Sequence, residues 1–111
     1  MPDLIIDNLG TRENATVTGA TVKRAFGTSG ASGNSAHRRG VQVCNHDATY
    51  ALFVKLVAAN ASLPDITATD HDFKVQPGDT QTIPVGAGID LCLLNSSGGA
   101  PASSYTALEV K

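Results

Sequence analysis

The chain has 111 residues, a formal net charge of −2 and no run of more than two consecutive lysine or arginine residues. A chain of this length corresponds to one domain, and the lack of a basic stripe argues against a nucleic-acid-binding protein. Charged residues make up only 16% of the chain, against about 25% in ordinary domains. This low fraction suits a protein that lies against other subunits, and it is also found in small Thr/Ser-rich β domains.

The first residues contain no targeting or membrane-anchoring pattern. Met1-Pro2-Asp3-Leu4 has neither a basic region nor a long apolar region. No later segment approaches the roughly 18 apolar residues of a membrane-spanning helix. We therefore expect no signal peptide and no membrane partner.

Residues 1–26 are predicted to form either an N-terminal arm or the first strands of the fold. Leu4-Ile5-Ile6 is a short apolar patch that could add a strand to a neighbouring subunit. Residues 14–26 are rich in Thr, Ala and Val, which favour a pleated surface, and we expect one long strand or two short ones around Gly19. Residues 27–37 form a Gly/Ser-rich loop, which either separates the arm from the main domain or is a long hairpin inside one domain.

Residues 38–111 contain short segments of alternating apolar and polar residues, separated by Gly, Pro, Asn and Asp. Such alternation is typical of half-buried strands. No segment has apolar residues at helical spacing. The fold predicted is all-β, an antiparallel β-sandwich or small barrel with a Thr-rich N-terminal arm. The predicted strands lie at 41–45, 50–57, 73–75, 83–85, 88–95 and 106–110.

Two turns and one strand face follow from the same pattern. The residues at 46–49 are expected to join two antiparallel strands, because Asn and Asp favour tight turns. Pro77-Gly78 is predicted to be a turn in which Pro sets φ and Gly supplies the positive φ. Ile89, Leu91 and Leu93 should face the core together, since alternate residues share one face of a sheet.

Asp70-His71-Asp72 is the densest cluster of metal-binding residue types. In a strand, Asp70 and Asp72 point to one face and His71 to the other, so the three cannot hold one ion. In a loop they could join a divalent-cation site. We expect a solvated polar segment here and assign no metal-binding residues.

No catalytic constellation is visible. The histidines, His37, His46 and His71, are isolated, and no serine lies in a Gly-x-Ser-x-Gly turn. Gly86-Ala87-Gly88 lacks the third glycine and the following helix of a phosphate-binding loop. We therefore expect a protein that is not an enzyme, with no catalytic residues, no cofactor-binding residues and no cofactor.

Cys44 and Cys92 each lie in a predicted strand. We expect both to be small core residues with free thiols. A disulfide between them is the alternative, although no secretory signal supports it. Two thiols far apart in sequence, without a Cys-x-x-Cys pair, are a poor metal site.

Two further polar segments have a structural and a functional interpretation. Asn45-His46-Asp47 is expected to act as a turn. Arg38-Arg39 is expected to be the solvated end of a strand, and the alternative is that it binds an acidic partner surface.

Residues 39–111 contain a recurrent layout of short segments. In chain order these are a V-x-V-x-N strand, a Leu-Phe-Val-Lys strand, a V-x-P-G turn, an I-x-L strand and a T-A-x-x-V end, at 41–45, 52–55, 75–78, 89–91 and 106–110. In this layout the chain resembles the capsid decoration or cement proteins of tailed bacteriophages and related head-associated β domains.

The resemblance implies a non-enzymatic structural protein that binds and stabilises the phage head shell. Its implied partners are the major capsid protein and neighbouring copies of itself, as a homo-oligomer on the capsid surface after assembly in the host cytoplasm. A head–tail neck protein is the alternative position in the virion.

A carbohydrate-binding or adhesin-like β-sandwich is the rival from another class. Sugar sites usually present exposed aromatic rings for stacking. The chain has only five aromatic residues, and most of them fall in predicted strands: Phe26, Tyr50, Phe53, Phe73 and Tyr105.

Overall fold

The computed structural model describes residues 9–26 and 38–110, in which eight strands form and no helix does. An all-β antiparallel sandwich, as predicted from the sequence, is confirmed. Within these two ranges no helix is long and apolar enough to cross a membrane. The strands are β1 Leu9–Thr18, β2 Lys23–Arg24, β3 Gly40–Asn45, β4 Leu52–Ala58, β5 Phe73–Val75, β6 Thr80–Ile83, β7 Ile89–Asn95 and β8 Ala102–Val110.

The strands form two four-stranded sheets with the order of a jelly roll. The front sheet has the order β1-β8-β3-β6 and the back sheet the order β2-β7-β4-β5. The antiparallel pairs β1–β8, β2–β7, β3–β6 and β4–β5 show that the first half of the chain pairs with the second half in reverse order. Eight strands arranged in this way in two sheets are the jelly-roll architecture.

Most consecutive strands lie in opposite sheets, which corrects the prediction for residues 46–49. The sequence pattern predicts that this segment joins two paired antiparallel strands, but β3 belongs to the front sheet and β4 to the back sheet. Only β4 and β5 are both consecutive and paired. Period-two alternation is the same for a hairpin and for a connection between sheets, so the pattern alone cannot distinguish them.

The turn at Pro77-Gly78 has the predicted geometry. Gly78 has φ 77°, and the Asp79 N–H donates to the Gln76 carbonyl at 3.0 Å. These are the features of a type II turn, in which the third residue needs a positive φ. The strand after it begins at Thr80, three residues earlier than the predicted segment at 83–85.

The β1–β2 turn requires glycine for a different reason, namely close approach. A Cβ on Gly19 would lie 2.4 Å from the Ser97 Oγ and 2.7 Å from the Asn95 Oδ1. The Gly19 N–H donates to the Gly99 carbonyl at 2.9 Å. The first two strands are thus tied to the loop between β7 and β8.

The main core lies between the sheets and is built from aliphatic residues. Leu91 and Leu93 are buried and Ile89 packs against them, as the alternation of β7 predicted. Burying each such side chain stabilises the fold by roughly 1.5–3 kcal/mol. The buried members are Val17, Ala25, Val41, Val43, Leu52, Val54, Val75, Ile83, Val85, Leu91, Leu93, Tyr105 and Ala107.

A second, smaller cluster covers the outer side of the back sheet. Phe53, Cys92 and Ile66 are buried together there. Ile66 belongs to the connection 59–72 between β4 and β5, which lies over this face. The back sheet is therefore apolar on both sides.

Part of the N-terminal segment belongs to the sandwich. β1 pairs with β8 over residues 9–18, and β2 pairs with β7. Val17 and Ala25 are members of the main core. The apolar Leu4-Ile5-Ile6 and the boundary expected at residues 27–37 lie outside the described residues.

Candidate functional surfaces

Two buried asparagines organise the loops at one end of the sandwich. Asn45 ends β3, and its Nδ2 donates to the carbonyls of Tyr50 at 2.9 Å and Val75 at 3.1 Å. Asn95 ends β7, and its Nδ2 donates to the Pro101 carbonyl at 2.8 Å. These hydrogen bonds satisfy buried amides and fix the loop conformations, so this end is a rigid scaffold.

The segment Asn45-His46-Asp47 forms a turn, as expected. The Asn45 Oδ1 accepts from the Asp47 N–H at 2.9 Å. The Asp47 carboxylate accepts from the Ser103 hydroxyl at 2.5 Å and from the Thr49 N–H at 2.7 Å. The Ser103 hydrogen bond, followed by that of Thr49, lowers the pKa of Asp47 below its ordinary value.

Arg38 corrects a prediction, because it is buried and not solvated. Its side chain and that of Glu109 are both fully buried, with Nη1 3.5 Å from the Glu109 Oε2. Its Nη2 donates to the Gly86 carbonyl at 2.6 Å and to the Ile89 carbonyl. Burial lowers the pKa of Arg38, and the carboxylate of Glu109 offsets part of that effect. The Arg38 side chain is therefore engaged within the chain, while Arg39 is exposed.

Asp70, His71 and Asp72 do not form a joint site. The Asp70 carboxylate accepts from the Lys55 Nζ at 2.8 Å, and the Asp72 carboxylate accepts from the Leu56 N–H at 2.8 Å. The His71 ring stacks on Phe53 with the ring centroids 4.5 Å apart. Both carboxylates are exposed, and the three residues anchor the 59–72 connection to the back sheet.

The outer face of the front sheet carries mainly uncharged polar side chains, with the buried Leu108 among them. Register places Asn14, Thr106, Cys44 and Thr80 in one row across four strands. The adjacent row contains Arg12, Leu108, Gln42 and Thr82. Arg12 is the one formally charged strand residue on this face among those whose side chains are described.

A hydrogen-bonded chain of four side chains crosses that face. The Thr106 hydroxyl donates to the Asn14 Oδ1 at 2.6 Å, and the His46 Nε2 lies 2.8 Å from the Thr106 Oγ1. The His46 Nδ1 lies 3.7 Å from the Cys44 Sγ. Cys44 is thus a half-buried thiol beside an imidazole.

The placement of Cys44 corrects the prediction that both cysteines lie in the core. Val41 and Val43 face the core, so Cys44, one residue further, points to the opposite face of β3. Cys92 is buried as predicted, in the cluster on the outer side of the back sheet, and burial raises the pKa of its thiol. Both thiols are free.

A groove of about 560 Å³ runs along the side of the sandwich where β1 and β2 lie. β1 is an edge strand of the front sheet and β2 an edge strand of the back sheet. The apolar lining comes from Val17, Val22 and Leu63. Leu63 is 50% exposed and is the one large apolar side chain that is exposed in the described residues.

Polar groups lie beside this groove between the two sheets. The Tyr105 hydroxyl donates to the Glu13 Oε1 at 2.5 Å. Burial, followed by the Glu13 carboxylate, raises the pKa of Tyr105. The Lys23 Nζ lies 5.8 Å from the centroid of the Tyr105 ring and donates to the Thr16 carbonyl at 3.2 Å. These contacts fix β2 against β1.

In the described parts of the chain, no group of three or more His, Cys, Asp or Glu residues is arranged to hold a metal ion. Among the described residues, the Cys44–His46 pair is the arrangement most similar to a metal-binding site. The sequence analysis did not identify it. A Cys-x-His spacing is a signal for such a pair, since residues two apart along an extended segment lie on the same side; here Cys44 lies in β3 and His46 directly follows the end of that strand.

Comparison with family models, with curated protein sequences and with solved structures finds no match to this chain.

Proposed function

We propose that the chain is a non-enzymatic structural protein that decorates and stabilises the head shell of a tailed bacteriophage. The observation that carries the proposal is the groove beside β1 and β2, which combines, in the described residues, an edge strand of each sheet with apolar side chains. Such an edge is suited to an extended protein segment, which adds main-chain hydrogen bonds and places alternate side chains in the groove.

The fold supports this proposal by analogy. Jelly rolls occur in viral capsid proteins and also in lectins, and a fold of this kind hosts more than one function. The rigid, hydrogen-bonded loops of the described chain suit a module that must keep its shape on a particle. Repeated weak contacts over a shell gain from avidity, so a deep pocket is not needed.

The carbohydrate-binding alternative receives less support from the same surfaces. None of the five aromatic residues is exposed: Phe53 and Tyr105 are buried, and Phe26, Tyr50 and Phe73 are half-buried. A sugar ring that stacks on an aromatic face needs that face in solvent. The groove offers aliphatic side chains and threonines for contact.

The proposal is tested by mixing the full chain with undecorated heads of the phage that encodes it. We expect the chain to co-sediment with the heads and to raise their melting temperature. Leu63→Glu places a charge in the groove and should weaken binding at least tenfold. Gln76→Glu adds the same charge at an exposed position in the β5–β6 turn and should bind as the unmodified chain does.

Absence of co-sedimentation would contradict the decoration function. If both variants bind like the unmodified chain, the groove is not the contact surface.

A further inference from the structure

We propose that Cys44 and His46 form half of a tetrahedral zinc-type site, which two copies of the chain complete by facing each other across a two-fold axis. The site lies on the outer face of the front sheet and is separate from the groove. The metal is of the class that binds thiolate and imidazole together, such as zinc.

The distance between the two side chains is that of a shared metal ion. Zinc–sulfur bonds of about 2.3 Å and zinc–nitrogen bonds of about 2.0–2.1 Å, set at a tetrahedral angle, place the two ligand atoms about 3.6 Å apart. The Cys44 Sγ and the His46 Nδ1 are 3.7 Å apart. A metal ion can therefore bind both atoms with little change in either side chain.

The hydrogen bonds around His46 fit the tautomer that a metal ion at Nδ1 requires. The Thr106 hydroxyl donates its proton to the Asn14 Oδ1, so the His46 Nε2 is the donor to the Thr106 Oγ1. A neutral imidazole that is protonated at Nε2 presents a lone pair at Nδ1. Metal-binding histidines are oriented by such a hydrogen bond from the other ring nitrogen.

A single copy supplies too few ligands, and a second copy supplies the same two. The described residues contain no third His, Cys, Asp or Glu positioned to share an ion with this pair. A two-fold contact is self-complementary, since the same patch serves both copies. Two thiolates and two neutral imidazoles then balance the charge of a divalent ion, and each Cys44 thiol releases one proton on binding.

The surrounding face fits another copy of itself. Its strand residues are mostly uncharged in the described parts, with Arg12 at the edge strand β1 and Cys44 on the interior strand β3. Packed sheets lie about 10 Å apart, a separation that two short cysteine side chains and two zinc–sulfur bonds can span. Facing copies therefore bring their Cys44–His46 pairs together without opposing rows of like charge.

The test is a titration of the full chain with cobalt(II) and then zinc, in the presence of a non-thiol reductant. We expect one metal ion per two chains, the visible absorption of tetrahedral cobalt–thiolate, and a doubling of mass in sedimentation that EDTA reverses. Cys44→Ser and His46→Gln should each abolish the doubling and lower affinity at least tenfold. Thr106→Val, which removes the group orienting His46, should lower affinity by about 10–100-fold.

Cys92→Ala and His71→Gln are the matched controls, and both should bind metal like the unmodified chain. Melting curves without metal should show that Cys44→Ser and Thr106→Val are folded. The proposal is overturned if the unmodified chain binds metal no more tightly than Cys44→Ser, or if one ion binds per chain without a change in mass. A dimer that persists in EDTA and excess reductant also overturns it.

Discussion

Cys44 and Cys92 show how the side of a strand decides the surroundings of a residue. Both lie in strands with alternating apolar residues, yet Cys44 points out of the front sheet and Cys92 lies under the 59–72 connection. The outward direction of the Cys44 side chain could be predicted from the sequence, because Val41 and Val43 place Cys44 on the face opposite the core. The burial of Cys92 on the outer side of the back sheet could not, because the connection that buries it is distant along the chain.

Alkylation of the folded chain with iodoacetamide should therefore modify one thiol, Cys44. Burial covers Cys92 and raises the pKa of its thiol, which keeps it in the unreactive protonated form. In denaturant both thiols should react. Mass spectrometry of peptides measures the sites, and modification of Cys92 in the folded chain at the rate of Cys44 would contradict this prediction.

Leu91→Ala should lower the free energy of unfolding by about 2–5 kcal/mol, because it removes a buried side chain and leaves a cavity. Leu91 is 1% exposed at the centre of the main core. Leu63→Ala makes the same chemical change at a residue that is 50% exposed, and should cost less than about 0.5 kcal/mol. Urea denaturation of both variants measures the difference, and equal losses would mean that the core is misplaced.

Asp47→Asn should change how stability depends on pH. The lowered pKa of Asp47 means that the folded state favours its carboxylate. Its contribution is complete above the ordinary value of 3.8 and is lost as the pH falls through the lowered value. The melting temperatures of the two proteins should therefore differ most near neutral pH and converge in acid. A difference that does not change with pH would count against the Asp47 hydrogen bonds.

At the scale of elements, the strands were predictable and their sheet assignment was not. Alternation and turn residues located most of β3, β4, β7 and β8, and Pro77-Gly78 located a turn, because these signals are local. Whether a connection pairs two strands or crosses between sheets depends on contacts far along the chain. The burial of Arg38 has the same cause, since its partner Glu109 is 71 residues away.

A truncated chain that begins at Arg38 should fail to fold, because it lacks β1 and β2. β1 pairs with β8 over residues 9–18, and Val17 and Ala25 contribute to the core. A chain truncated to begin at Leu9 keeps both strands and is the control. The measurement is a cooperative thermal transition by circular dichroism. A cooperative transition in the shorter chain, at the temperature of the control, would show that these strands are dispensable.

At the scale of the whole molecule, the two sheets differ in what covers them. The back sheet is covered by the chain's own 59–72 connection, whereas the front sheet carries mainly uncharged polar residues on its outer face, several of them exposed, such as Asn14 and Thr80. The groove lies at the side, between edge strands β1 and β2. The two surfaces are thus separate: the groove is the one proposed for a shell protein, and the outer face of the front sheet is the one proposed for another copy of the chain.

The most direct test of the decoration function is electron cryomicroscopy of phage heads with and without the chain. We predict additional density of jelly-roll shape at repeated positions on the outer surface of the shell, with the β1–β2 side and Leu63 against the capsid protein. Heads of identical density in the two samples would contradict the account.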